Sequence, residues 1–166
     1  MHHTRKALTF MREAGITISG LWVDCGCGHG YYAQALDLLG ACPVIAIDYH
    51  IRSTVKVNMS IHVCRGDCHY LPIKDECASG FLYVNVLHYY KKPFLLIKEA
   101  YRVLEIGGHI IVIEYDQRTP TSWDPYPLSP TDIEALLKDI NFNPVKTTVV
   151  DRGYRPKHLI VGKKLY

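Results

Sequence analysis

The residues best placed to do chemistry are an acid and three glycines near the start of the chain. A short apolar run ends in Asp24. Three glycines follow at alternate positions: Gly26, Gly28 and Gly30. This order is typical of a strand, a tight turn and a helix, in which the turn passes close to a ligand. Glycine suits such a turn because it permits positive φ and has no Cβ to block the approach. An acid at the strand end can bind a hydroxyl or an amine.

Two further acids follow the next two apolar runs. Asp48 closes a continuous apolar run, and Asp67 follows the third run. Ligands of doubly wound sheets bind where parallel strands end, so acids after three successive strands indicate one site. A carboxylate at Asp48 can accept hydrogen bonds from both ribose hydroxyls. One at Asp67 can accept from an adenine amino group, while the next backbone N–H, that of Cys68, donates to a ring nitrogen.

The elements that must position these acids alternate between strands and helices. Apolar runs predict strands over 21–24, 43–48, 60–64, 80–84 and 109–114, and a closing antiparallel pair over 146–150 and 158–161. Helical spacing predicts helices over 4–14, 31–39, 51–57, 94–104 and 129–140, with Gly107 and Gly108 ending the fourth. This alternation predicts a doubly wound α/β sheet in a single domain over residues 1–166.

Charge and cysteine usage narrow the class of protein. The net charge of +3 is no nucleic-acid signature, although it leaves an RNA acceptor open. No apolar run is long enough to span a membrane, and charges interrupt the N-terminal segment, so a cytoplasmic location with six reduced cysteines is expected. Four potential metal ligands lie close together in sequence: His62, Cys64, Cys68 and His69. Their spacing does not match a standard zinc site, so no metal is predicted.

Three later segments carry a resemblance to a known family. Residues 67–72 resemble its acid-x-x-x-leucine-proline segment, and residues 86–89 its valine-leucine-histidine-histidine segment. Residues 102–108 resemble its arginine-valine-leucine-lysine-proline-glycine-glycine helix end. Together with the glycine turn, they make the chain similar to the type 11 class I S-adenosylmethionine (SAM) methyltransferases, which include quinone C-methylating enzymes. The resemblance covers residues 21–114 well and the C-terminal third loosely.

The resemblance implies a fold and a set of cofactor contacts. It implies a Rossmann-like, mostly parallel sheet of seven strands ending in an antiparallel hairpin. It also implies SAM as cofactor and S-adenosylhomocysteine (SAH) as product. The implied cofactor-binding residues are Asp24, Gly26, Cys27, Gly28, His29, Asp48, Tyr49, Asp67, Cys68 and Tyr83. The chain departs from the family at Ser79, where an acid is usual, and at Glu105-Ile106, where lysine-proline is usual.

Methyl transfer is an in-line displacement, so the protein must mainly align the nucleophile and the methyl group. A base is needed only if the nucleophile arrives protonated. His88 is the candidate for that base, and a structural role for it stays open. Weaker candidates at the same edge are His29, Glu114, Tyr115 and Asp116. Aromatic residues that could line an acceptor pocket or pack in the core are Tyr31, Tyr32, Tyr83, Tyr89, Trp123 and Tyr126.

The acceptor itself is not specified: a small molecule, a lipid quinone, an RNA or a protein all remain candidates. Many small-molecule members of the family carry a long N-terminal cap over the acceptor, whereas residues 1–20 here predict only a short helix. The acceptor site is therefore expected to be open, or to be closed by a second copy of the chain or a partner subunit.

Two other functions fit parts of the sequence. Residues 28–33 satisfy the G-x-G-x-x-A fingerprint of dinucleotide oxidoreductases, with Asp48 at a suitable distance. Against this, Asp24 precedes the glycines, and the leucine-histidine and double-glycine segments have no role in hydride transfer. The second alternative is a SAM-binding subunit that is non-catalytic or active only with a partner; the short N-terminus and Ser79 motivate it.

Overall fold

The computed structural model describes residues 2–52, 55 and 58–166. They form a seven-stranded sheet in the order β3-β2-β1-β4-β5-β7-β6. The strands are β1 (Gly20–Cys25), β2 (Ala41–Asp48), β3 (Ile61–Arg65), β4 (Ala78–Val84), β5 (Leu104–Tyr115), β6 (Phe142–Asp151) and β7 (Lys157–Lys164). β7 is antiparallel to both neighbours, while β1 to β5 pair in parallel. The predicted doubly wound sheet with a terminal antiparallel hairpin is confirmed.

Helices cover both faces of this sheet. They are α1 (His2–Arg12), α2 (Tyr31–Leu39), α3 (Pro93–Val103) and α4 (Pro130–Asp139), with a 3-10 turn at Leu87–Tyr89. Successive apolar residues of β5 point to opposite faces of the sheet, so both faces must be covered to bury them. Ile110 and Val112 pack in one apolar cluster with residues of α3 and α4, whereas Ile111 and Ile113 pack in the other with residues of α1 and α2. A strand buried on both faces has a continuous apolar sequence.

Local signals explain where two of the helices begin and end. Gly30 and Gly40, both in the left-handed region, bound α2 as predicted. α4 begins with a capping box, in which Ser129 Oγ accepts from Asp132 N at 3.2 Å and Asp132 Oδ2 accepts from Ser129 N at 2.8 Å. Pro130 occupies its first turn, where no N–H is needed.

The prediction that Gly107 and Gly108 end a helix is wrong. α3 ends at Val103, and β5 starts at the next residue, so both glycines lie within the strand. The register between β4 and β5 shifts there, because Ala78 pairs with Leu104 but Gly80 pairs with His109. Gly107 has φ 85°, which residues with a side chain rarely adopt, and a Cβ on Gly108 would lie 2.9 Å from the carbonyl oxygen of Glu105. The double glycine therefore marks a bulge rather than a cap.

Other boundaries differ less. α1 runs two residues earlier than predicted, and both hairpin strands are longer. The helix predicted over 51–57 falls largely outside the described residues, since 53, 54, 56 and 57 are not among them. All six cysteines are free thiols. Across the described ranges, no helix has the length and apolar character needed to cross a membrane.

Candidate functional site

A cavity of about 480 Å³ opens at the carboxyl ends of β1 to β4. Parallel strands end at a common edge, so segments far apart in sequence meet there. Its lining includes five of the residues predicted from sequence: Gly26, Asp48, Tyr49, Asp67 and Cys68. It also includes residues that were not predicted as cofactor contacts: His50, Arg52, Gly66, His69, Asn85, Val86 and Tyr90. Tyr89, a candidate for an acceptor pocket, lines this cavity too.

The glycine turn borders the cavity, and Gly26 is the residue of the turn that lines it. Gly26, Gly28 and Gly30 have φ values of 81°, 52° and 74°, which residues with a side chain rarely adopt. A Cβ on Gly26 would lie 2.4 Å from Val86 Cγ2, so the turn packs directly against the segment after β4. A Cβ on Gly28 would have no heavy atom within 4 Å and would project into open space. The turn therefore leaves room for a ligand next to bare backbone.

Asp48 holds the turn after β1 against the end of β2. Its Oδ2 accepts a hydrogen bond from Gly28 N at 2.8 Å, and its Oδ1 accepts one from His50 N at 2.9 Å. Each carboxylate oxygen can accept more than one hydrogen bond. Both oxygens can therefore still accept from the hydroxyls of a ligand, as the sequence analysis predicts.

Asp24 is buried behind the glycine turn, with 1% of its surface exposed. Burial raises the pKa of its carboxyl from 3.8 to about 7; the Ala33 N–H lowers it and the negative charge of Asp48 raises it further. Asp24 Oδ2 and Asn85 Oδ1 are buried without a hydrogen-bond partner in the described part of the chain. Unpaired buried acceptors are costly, so these two atoms indicate a missing donor such as an ammonium group.

The segment after β3 supplies another acid. Asp67 Oδ1 accepts a hydrogen bond from His69 N at 2.9 Å and lies 2.8 Å from His69 Nδ1. The backbone N–H of His69, followed by its side chain, lowers the pKa of Asp67, which therefore stays ionised. Cys68 is buried in the same wall. Among the residues described, no three or more His, Cys, Asp or Glu side chains are grouped so as to hold a metal ion.

Several predicted contacts lie elsewhere. Tyr83 is fully buried in the apolar core, and its hydroxyl donates to the carbonyl oxygen of Leu96 at 2.9 Å. It cannot reach a ligand in the cavity, which corrects its assignment as a cofactor contact. Cys27, Gly28 and His29 belong to the glycine turn but are not part of the cavity lining.

His88 is buried in the 3-10 turn, and both of its ring nitrogens face carboxylates. Its Nδ1 lies 2.7 Å from Glu114 Oε2, and its Nε2 lies 3.2 Å from Asp124 Oδ1. Both carboxylates are themselves buried. With both ring nitrogens engaged, His88 has no free nitrogen with which to take a proton from a nucleophile. The structure thus corrects the predicted general base and favours the structural alternative. The sequence missed Asp124 because it lies in a Pro- and Ser-rich loop.

The two carboxylates extend into a network. Glu114 Oε1 accepts hydrogen bonds from Val86 N at 2.8 Å and Leu87 N at 2.7 Å. Asp124 Oδ2 pairs with Arg155 Nη2, and the Arg155 guanidinium carbon lies 3.9 Å from the centroid of the Tyr115 ring. Beside this network is a second cavity of about 440 Å³, lined by Asp116, Gln117, Thr121, Trp123, Tyr154, Arg155 and Pro156. The weaker candidates Glu114 and Tyr115 therefore belong to the network, and Asp116 lines the second cavity.

The chain has recognisable relatives. It is 28% identical over 145 residues or more to two curated proteins, one of them the chloroplastic 2-methyl-6-phytyl-1,4-hydroquinone methyltransferase of Arabidopsis thaliana. That match covers 84% of this chain but 46% of the plant enzyme, so the chain spans less than half of that relative's length.

Two solved structures share the fold. One is the Burkholderia thailandensis 1,6-didemethyltoxoflavin-N1-methyltransferase with bound 1,6-didemethyltoxoflavin and SAH. It has a TM-score of 0.82 and 15% identity, over 99% of this chain and 79% of that one. The other is a Haloferax volcanii methyltransferase in complex with the Trm112 methyltransferase activator, with a TM-score of 0.77 and 16% identity over 99% and 90% of the two chains.

The family follows from a match to a sequence model. The model described as "Methyltransferase domain" matches residues 23–112, which is more than half of the chain. The matched segment includes the glycine turn, Asp48, Asp67 and the 3-10 turn that together surround the first cavity. The chain therefore belongs to this methyltransferase domain family, whose cofactor is S-adenosylmethionine.

Proposed function

We propose that this chain transfers the methyl group of SAM to an oxygen, nitrogen or carbon nucleophile of an acceptor. The observation that carries the proposal is the strand-end cavity, where Asp48 and Asp67 line a space next to the backbone of Gly26, with Asp24 buried in the strand that leads into this turn. The unpaired oxygens of Asp24 and Asn85 fit a cofactor that carries an ammonium group. When bound, the sulfonium of SAM supplies a methyl carbon that is already activated for displacement.

Each part of the cavity fits one part of the cofactor. Asp24 and Asn85 offer acceptors for the amino group of the methionine part. Asp48 offers two oxygens for the ribose hydroxyls while it holds Gly28 N and His50 N. Asp67 and the backbone N–H of Cys68 offer one acceptor and one donor for the adenine edge.

The chain's own contribution to the transfer is alignment. A nucleophile must approach the methyl carbon to about 3–3.5 Å along the line of the bond that breaks. This approach depends on the rim of the cavity, which is formed by Asn85, Val86 and Tyr89. Glu114 fixes the backbone of the rim, because it accepts hydrogen bonds from Val86 N and Leu87 N. No covalent bond between the protein and the acceptor is needed. We infer that an acceptor with an acidic or already nucleophilic atom is preferred, because His88 is not free to remove a proton.

Three similar proteins suggest which acceptors and partners to test first. The Arabidopsis and Burkholderia enzymes are named for ring compounds, a hydroquinone and a didemethyltoxoflavin. Small ring compounds therefore come first among the acceptor classes. The Haloferax methyltransferase was solved with an activator protein. A partner subunit or a second copy of the chain that closes the cavity at this rim is thus part of the proposal.

Methyl transfer from labelled SAM tests the proposed activity. The wild-type chain is incubated with separated small-molecule, lipid, RNA and protein fractions of a source-cell extract. We expect label in one fraction with the wild type and none with Asp48→Ala, whose cofactor contact is removed. If the wild type labels no fraction, even with extract protein added back as a partner, the chain is not a methyltransferase of these acceptors. Label transferred equally by Asp48→Ala would contradict the proposed cofactor site.

A further inference from the structure

We propose that His88 is a positioning residue that couples the cofactor cavity to the acceptor-side loop, residues 116–129 between β5 and α4. Binding of SAM or SAH would then hold this loop in place before an acceptor arrives. The inference rests on the proposed function, because the ligand that acts on the loop is the cofactor. It assigns the buried network around His88 a role that methyl transfer alone does not require.

The first step is the state of the imidazole ring. Nδ1 faces Glu114 Oε2 and Nε2 faces Asp124 Oδ1, and all three residues are buried. Each ring nitrogen therefore faces a buried carboxylate oxygen, and the ring can donate to both when both nitrogens carry a hydrogen. The other charged or titratable groups around it are Tyr89, with its ring centroid 4.2 Å away, Tyr115, at 6.5 Å, and Arg155, which pairs with the far oxygen of Asp124.

The second step connects the ring to the cofactor cavity. Val86 and Tyr89 line the cavity and lie on either side of Leu87 and His88 in one short turn. Glu114 fastens that turn at three points, because it accepts from Val86 N, Leu87 N and His88 Nδ1. A ligand packed against Val86 and Tyr89 therefore favours the arrangement in which the turn is seated on Glu114. The ligand then has a higher affinity for the protein with the turn seated on Glu114 than for the protein with the turn released. Conformational coupling requires such a difference in affinity between two states.

The third step connects the ring to the loop. Asp124 is buried in the middle of the loop, and its side chain meets His88 on one side and Arg155 on the other. Tyr126 N donates to the carbonyl oxygen of His88 at 3.0 Å, so two loop residues are attached to the same turn. The adjacent side chains of Trp123 and Tyr126 are exposed and available to an acceptor. Seating the turn thus fixes the position of the residues that border the acceptor side.

Limited trypsin digestion tests this coupling without a known acceptor. Arg118 is an exposed cleavage site in the loop, and Lys74 is an exposed reference site before β4. In the wild type, saturating SAH is expected to slow cleavage after Arg118 by about fivefold or more and to leave cleavage after Lys74 unchanged. In His88→Ala the protection is expected to disappear. SAH affinity is expected to weaken only by about the same factor, because coupling is reciprocal.

A matched histidine variant serves as the control. His62 is exposed on β3, away from the network, so His62→Ala should keep both SAH affinity and protection of Arg118. Equal protection in His88→Ala and wild type would overturn the proposal. So would a wild type that binds SAH in calorimetry but shows no protection at Arg118. A wild type that does not bind SAH overturns the proposed function instead, and the inference with it.

A measurement on the wild type alone covers the case in which His88→Ala does not fold. Nitrogen-15 NMR of histidine-labelled protein distinguishes an imidazolium from either neutral tautomer. We expect the His88 ring to show protons on both nitrogens, because each nitrogen faces a buried carboxylate. A single neutral tautomer at His88 would contradict the double carboxylate clamp and overturn the proposal.

Discussion

Charged side chains at the carboxyl ends of the parallel strands have different partners in the two halves of the sheet. At the ends of β1 to β3, the oxygens of Asp48 and Asp67 face a cavity, and backbone N–H groups are their main partners. At the ends of β4 and β5, by contrast, the side chains of Glu114, His88 and Asp124 are buried and pair with one another. The first arrangement leaves acceptor capacity for a ligand. In the second arrangement, the side chains use their hydrogen-bonding capacity on one another, and this pairing holds the loops in position.

The largest expected effect is in the first half. Asp48→Ala removes the acceptor for Gly28 N and His50 N together with the proposed ribose contact. We expect SAH affinity, measured by calorimetry, to fall by about 100-fold or more. Asp139→Ala is the matched control, since Asp139 is an exposed acid at the end of α4. Equal affinity in the two variants would break the distinction between ligand-facing and other acids.

A second large effect concerns the pH dependence of binding. Burial raises the pKa of Asp24 to about 7, so its carboxyl is protonated in the ligand-free protein below that pH. A cofactor ammonium prefers the ionised form. We therefore expect SAH affinity to weaken by about tenfold between about pH 8 and about pH 6, and Asp24→Asn to abolish this dependence. A pH dependence that persists in Asp24→Asn would assign it to another group.

The same raised pKa has a consequence for stability. A folded-state pKa of about 7 means that the ionised Asp24 opposes folding above neutral pH, and the cost vanishes as the pH falls towards about 4. Asp24→Asn removes that charge. We expect it to raise the unfolding free energy of the ligand-free protein by about 1–3 kcal/mol at about pH 8, measured by urea denaturation. A destabilised variant at this pH would show that the carboxylate serves folding rather than the ligand.

A pair of glycine substitutions separates backbone strain from loss of ligand space. Gly28 and Gly107 both have positive φ, and a Cβ on either would meet no heavy atom within 4 Å. Gly28→Ala and Gly107→Ala should therefore cost similar stability, about 1 kcal/mol each. Only Gly28 lies in the turn whose backbone Asp48 holds next to the cavity, so only Gly28→Ala alters the turn that the proposed cofactor would approach. We expect it alone to weaken SAH binding, by about tenfold; an equal effect of Gly107→Ala would mean that strain, not space, controls binding.

The smallest expected effect on cofactor affinity comes from the second half. Asp124→Ala leaves His88 Nε2 and Arg155 without their buried partner, so we expect the unfolding free energy to fall by about 3 kcal/mol. SAH affinity should change by less than about fivefold, because Asp124 does not line the cofactor cavity. Asp116→Ala, in the same loop, should change stability by less than about 0.5 kcal/mol. If Asp124→Ala lost as much SAH affinity as Asp48→Ala, the proposed difference between the cofactor-binding half and the loop-holding half would be contradicted.

The two halves also differ in how far they could be predicted from sequence. The glycine turn, Asp48 and Asp67 follow apolar runs directly, and strand ends of a parallel sheet meet at one edge, so local spacing was sufficient. Tyr83 was misassigned because inward and outward positions of a strand buried on both faces have the same apolar character. His88 was misassigned because its partners come from β5 and from a loop without periodicity. Only the folded chain shows that Asp124 reaches the ring.

Calorimetric titration of the wild-type chain with SAH tests the central claim most directly, namely that the cavity at the ends of β1 to β4 holds the cofactor. One molecule of SAH per chain should bind with a dissociation constant in the range of about 1–100 μM, and Asp48→Ala should bind at least about 100-fold more weakly. No heat of binding from the wild type at millimolar SAH, in a sample that is folded by circular dichroism, would contradict the claim.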